Sequence, residues 1–220
     1  MPGVAKNGPV RTMRQIIFDT ETTGFEPPEH RVVEIGAIEL VRGAITGASF
    51  HVYINPERDM PPDAQRVHGL SIDFLKDKPV FADTTVGKAF CDFIGDAELI
   101  AHNAEFDMRF IQAELRRCGL PELTNPVIDT LKIARRKFPG SPASLDALCS
   151  RFGIDTAERE RHGHGALLDS RLLAEVYIEL TGGAQAGLDF SIQHDEGGPG
   201  SIAGEALQRP APLARALSEE

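Results

Sequence analysis

Hydrophobic residues in the first quarter of the chain fall into short runs that predict β-strands. Residues 16–18 are continuously apolar, which is typical of a central strand covered on both faces. Residues 31–40 and 48–55 alternate or run apolar and predict two further strands, joined by a turn-prone segment at 41–47. Because the connections are short, we expect these three strands to form an antiparallel meander.

Further along the chain the pattern changes mostly to the period of an α-helix. Two more short strands are predicted at 97–103 and 125–130, and Gly182 and Gly183 mark the end of the last helix. Strands followed by alternating helices and strands predict an α/β fold with a mixed sheet. The predicted helices are a short one after Pro62 and those at 84–94, 105–119, 131–138, 144–153 and 166–183.

Composition suggests where the folded domain begins and ends. A chain of 220 residues with 41% hydrophobic residues can form one domain with its own core. We expect a disordered lead at 1–12, the domain at 13–183, and a flexible tail rich in glycine, alanine, proline and charge at 184–220. The chain has neither an apolar run of membrane-span length nor an apolar signal segment at its start, so we expect a cytoplasmic protein without a membrane partner.

Charge and cysteine content narrow the classes of function. The 23 basic against 33 acidic residues give a net charge of −10, which argues against tight non-specific nucleic-acid binding through a basic surface. This charge remains compatible with a carboxylate site that contacts phosphates through bound metal. Cys91, Cys118 and Cys149 are odd in number and far apart, so we expect small buried residues rather than disulfides or metal ligands.

Two acidic residues, Asp19 and Glu21, directly follow the first apolar run. Side chains alternate along a strand, so these two carboxylates point to the same side, roughly 6–7 Å apart along the backbone. Like charges this close repel unless they share a cation. The alternative is a strand end followed by a solvated turn at Thr23 and Gly24.

Two further acidic residues repeat this feature near predicted helix starts. Asp107 lies in the first turn of the helix at 105–119, where the alternative is a partner for the helix dipole. His164 lies in the charged, glycine-flanked segment 158–165, which we expect to be a mobile loop. Asp169 heads an apolar stripe, so its carboxylate faces inward and must be paired or metal-bound. The stripe consists of Leu172, Leu173, Val176, Tyr177 and Leu180.

Four acids and one histidine form a donor set with a recognisable chemistry. Carboxylate oxygens suit Mg²⁺ or Mn²⁺ rather than the nitrogen and sulfur environment of zinc. Two such ions, about 3.5–4 Å apart, can activate a water and stabilise the leaving oxygen in phosphodiester cleavage. A histidine near neutral pKa suits the role of general base for that water.

The motifs "FDTETTG", "HNAEFD" and "HGALLD" resemble the three exonuclease motifs of the DEDDh 3′–5′ exonucleases. More closely, residues 14–190 resemble the epsilon, or proofreading, subunits of bacterial DNA polymerase III. The resemblance implies a ribonuclease-H-like fold, with a five-stranded mixed sheet flanked by helices. It implies removal of mispaired 3′ nucleotides from DNA, with two divalent cations, Mg²⁺ or Mn²⁺, as cofactors.

The resemblance also assigns roles to individual residues. It implies that Asp19, Glu21, Asp107 and Asp169 ligate metal, with three of them (Asp19, Glu21 and Asp169) also facing the substrate. His164 matches the general base. Asp63 and His68 match positions that contact the terminal nucleotide, although the family usually has Glu where this chain has Asp63. We expect a structural rather than catalytic role for His102.

The predicted tail carries a candidate partner motif at residues 185–190, "QAGLDF". The motif resembles the peptide with which bacterial replication proteins bind the sliding clamp (beta), with Leu188 and Phe190 as anchors and Gln185 supplying hydrogen bonds. The alternative is plain linker. Family resemblance also implies binding to the catalytic (alpha) subunit of DNA polymerase III and assembly with a theta-like small subunit.

Two other functions fit parts of the sequence. An RNA-processing 3′–5′ exoribonuclease would use the same chemistry, but the segments between the motifs match the polymerase subunit more closely. A non-catalytic replication adaptor would keep the fold, but it has no need for five intact site residues.

Overall fold

The computed structural model describes residues 14–182, which lie within the predicted domain at 13–183. The predicted lead, the predicted tail and the candidate clamp-binding peptide at 185–190 lie outside the described residues. Those three predictions therefore stay predictions.

A five-stranded mixed sheet forms the centre of the domain, in the order β3-β2-β1-β4-β5. The first three strands pair antiparallel, and β1 pairs in parallel with β4, as β4 does with β5. The predicted meander and the predicted mixed sheet are both confirmed. The strands are β1 (Arg14–Thr22), β2 (Val32–Val41), β3 (Ala44–Tyr53), β4 (Glu98–Ala101) and β5 (Val127–Asp129).

Helices flank this sheet, and the two longest in the described part of the chain each carry one of the four predicted site acids. A single π-helical turn at Thr84–Lys88 leads directly into α3. The helices are α1 (Pro62–His68), α2 (Ile72–Leu75), α3 (Ala89–Ile94), α4 (Ala104–Arg117), α5 (Thr130–Lys137), α6 (Leu145–Phe152), α7 (Ala157–His162) and α8 (Ala166–Thr181). None of the helices within residues 14–182 combines the length and the apolar character needed to cross a membrane.

Strand β1 is covered on both faces, as its apolar run predicts. Ile16 and Phe18 pack into one core cluster with Phe90 and Phe110, whereas Ile17 packs into a second cluster on the opposite face, formed mainly with α6 and α8. Residues 16–18 are completely buried. The same strand continues through Asp19 and Glu21, which lie near its carboxyl-terminal end.

Two parts of the structure differ from the sequence predictions. Strand β3 begins at Ala44 rather than at residue 48, because the turn consists only of Arg42 and Gly43, which both have positive φ. The first residues of this edge strand are exposed and therefore show no apolar pattern. The segment at 158–165, predicted to be a mobile loop, is mostly helix α7, and only residues 163–165 connect it to α8.

Candidate active site

Asp19 and Glu21 reach a cleft at the carboxyl-terminal end of β1. Both side chains line this cleft, as the alternation along the strand predicts. The register of β1 against β2 shifts between Glu21 and Thr22, which ends the regular pairing directly after the second acid. The predicted alternative of a solvated turn is wrong for Glu21, which is 9% exposed.

Asp107 joins the cleft from the first turn of α4. Its Oδ1 accepts hydrogen bonds from the backbone nitrogen of Thr20, at 3.0 Å, and from the Thr20 hydroxyl, at 2.7 Å. These bonds hold α4 against β1, between the two acids of that strand. The left-handed backbone of Asn103, with φ of 65°, turns the chain from β4 into the helix and so directs Asp107 inward.

Asp169 enters from α8, the helix whose apolar stripe faces the sheet. The five residues of the predicted stripe are all buried, and Asp169 itself is 4% exposed. The next residue, Ser170, donates a hydrogen bond of 2.9 Å to the carbonyl of Gly36 on β2. Helix α8 is thereby fixed on the sheet directly beside the end of β1.

His164 lies in the short connection between α7 and α8. Its Nδ1 is 3.3 Å from Asp169 Oδ2, and its side chain is 42% exposed. One ligand atom each from Glu21, His164 and Asp169 lie within 4.8 Å of one another. The structure therefore brings all four predicted acids and the predicted histidine to one cleft.

Burial makes the negative charges of this cleft unfavourable. It raises the pKa of Asp19 well above its usual range, with further contributions from Asp107 and Glu21. Burial, with the charges of Asp169 and Glu34, raises the pKa of Glu21 to about 8. Burial also raises the pKa of Asp107 to about 7, although the hydrogen bonds from Thr20 oppose it.

The donor set fits divalent hard cations. Buried carboxylates with raised pKa values need positive charge nearby to ionise at neutral pH. Oδ1 of Asp169 is buried and accepts no hydrogen bond from the described residues, although a basic side chain forms an ion pair with it. Oxygen ligands of this kind are those that Mg²⁺ and Mn²⁺ prefer.

The structure adds a cation that the sequence analysis missed, Arg159 of α7. Its Nε lies 2.7 Å from Asp169 Oδ1, and its Nη2 donates to Asp169 Oδ2 at 2.9 Å. Nη2 also lies 2.7 Å from His164 Nδ1, and Nη1 pairs with Asp146 at the start of α6. Acidic and basic residues alternate around Arg159 in the sequence, and this segment has no apolar stripe. The sequence therefore does not indicate that the Arg159 side chain points inward.

The remaining predicted residues lie at or beyond the edge of the cleft. His68 is 5% exposed and lines an adjoining cleft with His164, whereas Asp63 is 91% exposed at its side chain and pairs with Arg66. The structure therefore brings His68 close to the acids but does not bring Asp63 there. His102 hydrogen-bonds through Nδ1 to the Thr130 hydroxyl at 2.9 Å, as a positioning role requires.

Sequence comparison places this site in a known family. The chain matches the family described as "Exonuclease" over residues 16–177. It is 56% identical over 181 residues to the DNA polymerase III subunit epsilon of Rickettsia felis, covering 80% of this chain and 77% of that protein. This chain belongs to the epsilon-subunit family of exonucleases. The subunit of Escherichia coli K12 is 46% identical over 189 residues, covering 82% of this chain and 76% of that protein.

A solved structure supports the same assignment. Exonuclease X in complex with 5′ overhanging duplex DNA is 28% identical to this chain, with a TM-score of 0.60, and the match covers 76% of this chain and 90% of that one. The predicted ribonuclease-H-like fold is confirmed, and the chain is a 3′–5′ exonuclease. An exoribonuclease and a non-catalytic adaptor are both disfavoured, since relatives at this identity are replicative polymerase subunits.

Proposed function

We propose that this exonuclease removes mispaired 3′-terminal nucleotides from DNA as the proofreading subunit of a bacterial replicative polymerase. The convergence of four acids and His164 in one cleft carries the proposal, because this donor set suits phosphodiester hydrolysis. The similarity to epsilon subunits supports DNA rather than RNA as the substrate.

In this proposal Asp19, Glu21, Asp107 and Asp169 hold two divalent cations, Mg²⁺ or Mn²⁺. When bound, these ions supply a nucleophilic water and neutralise charge on the scissile phosphate and the leaving oxygen. The buried acids contribute fixed positions, since β1, α4 and α8 are tied together by the bonds of Thr20 and Ser170. Rigid placement of this kind lowers the cost of reaching the reactive geometry.

His164 acts in the proposal as the general base. Its Nδ1 faces Asp169, so its Nε2 is the atom that accepts a proton from the attacking water. His68 contacts the terminal nucleotide from the adjoining cleft, and Asp63 would reach the substrate only from the exposed face of α1.

The proposal also includes protein partners of the exonuclease. The similarity to epsilon subunits supports binding to the polymerase III catalytic (alpha) subunit. In the proposal the sliding clamp binds residues 185–190, and a theta-like subunit is a further partner. A chain with a net charge of −10 should bind DNA weakly alone, and its affinity should fall as salt rises. The polymerase would then hold the DNA for both activities.

The test is a digestion assay with 3′-labelled primers that are matched or mismatched to a template, with RNA oligonucleotides of the same sequence. We expect Mg²⁺-dependent release of 3′ nucleotides, faster from mismatched DNA than from RNA or matched DNA. Asp19→Asn should abolish it, whereas Asp96→Asn, which changes an exposed acid of the loop after α3, should not. Faster digestion of RNA would overturn the proposed substrate, and full activity of Asp19→Asn would overturn the proposed site.

A further inference from the structure

Arg159 binds the same carboxylate that the proposed function assigns to a metal. We propose that Arg159 is a displaceable counter-ion, which positions Asp169 and His164 until a divalent cation takes its place. The inference rests on the proposed metal site. It concerns a positioning residue that acts through Asp169 and His164.

Competition for Asp169 follows from the contacts. The guanidinium spans both carboxylate oxygens, with Nε 2.7 Å from Oδ1 and Nη2 2.9 Å from Oδ2. A cation that ligates Oδ1 would therefore lie against a positive charge, in a site where burial weakens the screening of that repulsion. Because both species neutralise the same carboxylate, each lowers the affinity for the other.

Arg159 is also the anchor of α7. It is the one residue of this helix, among those whose side chains the structure describes, that is not exposed. Its guanidinium is 10% exposed and joins α7 to α6 through Asp146 and to α8 through Asp169. The described part of α7 has no apolar contact surface, so release of Arg159 from Asp169 should loosen the helix.

The contact with His164 gives the displacement a chemical consequence. An arginine side chain only donates hydrogen bonds, so Nδ1 of His164 accepts in the 2.7 Å contact with Nη2, which is shorter than the 3.3 Å contact with Asp169 in which Nδ1 would donate. The proton of the neutral imidazole then lies on Nε2, where it prevents that nitrogen from accepting another. Release of Arg159 lets Nδ1 carry the proton instead and leaves Nε2 free to act as base.

In this scheme, binding of the cation is coupled to the ability of His164 to act as general base. A cation at Asp169 displaces Arg159, and the displaced side chain retains its second partner, Asp146, whose carboxylate is 68% exposed. The general base becomes competent only after the cation is bound. The site thus avoids holding an activated base beside carboxylates that lack their metal.

Calorimetric titration of Mn²⁺ into the full-length chain tests the competition. Arg159→Gln should bind Mn²⁺ at least about fivefold more tightly than the wild type, the low end of typical coupling between sites. The matched control is Arg161→Gln on the same helix, because among the described residues the Arg161 side chain hydrogen-bonds to the carbonyl of Ala157 in its own turn and to none of the site acids. Its affinity should equal that of the wild type.

Each outcome of the titration has a distinct meaning. Equal or weaker Mn²⁺ binding by Arg159→Gln would overturn the inference, because a residue that merely shapes the site would lose affinity when removed. Absence of Mn²⁺ binding by the wild type would overturn the proposed metal site itself. If Arg159→Gln does not fold, Arg159→Lys replaces it, since a single ammonium holds the carboxylate less well than a bidentate guanidinium and should also tighten Mn²⁺ binding.

Nitrogen NMR of the His164 ring tests the tautomer without reference to activity. In the wild type with chelator we expect the proton on Nε2, and with Mg²⁺, which is diamagnetic, we expect it on Nδ1. Arg159→Gln should show the Nδ1 form in both conditions, and Arg161→Gln should behave as the wild type. The same tautomer with and without Mg²⁺ in the wild type would contradict the coupling.

Discussion

Gly36 lies so close to Leu167 that a Cβ atom on Gly36 would overlap the backbone nitrogen of Leu167. The contact joins the middle of β2 to the first turn of α8. Gly36 is paired with Asp19 across the sheet, and Leu167 precedes Asp169 by two residues. Direct backbone packing at this point therefore sets the separation between two of the site acids.

Gly36→Ala should destabilise the fold and displace Asp169. Overpacking of a tight core costs typically 1–3 kcal/mol, and we expect about 3 kcal/mol here because the opposing atoms are backbone. The measurement is the free energy of unfolding from urea denaturation. Gly119→Ala is the control, since Gly119 has open space around it and should cost only about 1 kcal/mol for its positive φ. Equal losses in the free energy of unfolding for the two variants would argue against a tight contact between Gly36 and Leu167.

The stability of the metal-free protein should fall as pH rises. Burial raises the pKa of Glu21 from 4.5 to about 8 and that of Asp107 from 3.8 to about 7. Between the ordinary and the raised value the folded state binds more protons than the unfolded state, so the free energy of unfolding decreases with pH. Thermal melts in chelator should therefore give a lower Tm at about pH 8 than at about pH 5.

Replacing one buried acid should reduce this pH dependence. Glu21→Gln removes a carboxyl group whose pKa is raised to about 8, so the Tm of this variant in chelator should change less with pH than that of the wild type. Glu122→Gln, at an exposed acid far from the cleft, should leave the dependence unchanged. If the Tm of Glu21→Gln changed with pH as much as that of the wild type, the buried carboxylates would not control stability.

His164→Ala should reduce the rate of 3′ nucleotide release with the metal still bound. General base catalysis typically contributes about 10²–10⁴-fold, and we expect a loss of this size. The pH–rate profile should also lose its acidic limb. His30→Ala changes a histidine that contacts Thr23 instead of the acids and should retain the wild-type profile. Persistence of the acidic limb in His164→Ala would give His164 a positional role.

The peptide at 185–190 should bind the sliding clamp independently of catalysis. Leu188→Ala combined with Phe190→Ala removes both proposed anchors, so clamp affinity measured by calorimetry should be lost. Digestion of single-stranded DNA should proceed at the wild-type rate, because the changes lie outside the catalytic domain. Equal clamp affinity of the double variant and the wild type would leave the segment as linker.

Sequence patterns predict three of the four site acids because each of these three interrupts a strong local signal. Asp19 and Glu21 end an apolar strand, and Asp169 heads a helical apolar stripe. A charged residue within an apolar pattern is unexpected, so these acids can be identified from the sequence without knowledge of the fold. The order of the first three strands follows as well, since their short connections restrict the pairing.

Features that depend on distant contacts could not be predicted in this way. Helix α7 has no apolar stripe, and its anchor Arg159 is defined by contacts outside the helix, among them Asp146 and Asp169 of other helices. The start of β3 is similar, because Ala44 and Ile45 are exposed and their strand conformation comes from pairing with β2. In both segments tertiary contacts override a weak local preference.

The distribution of the acids along the chain has a consequence for biosynthesis. Asp19 and Glu21 are synthesised early, but the carboxylate of Asp169 follows Asp19 by 150 positions and reaches the cleft only when α8 packs on the sheet. A nascent or truncated chain without α8 contains His164 but lacks Asp169. Nuclease activity that needs all four acids should therefore arise only after nearly the whole domain has left the ribosome.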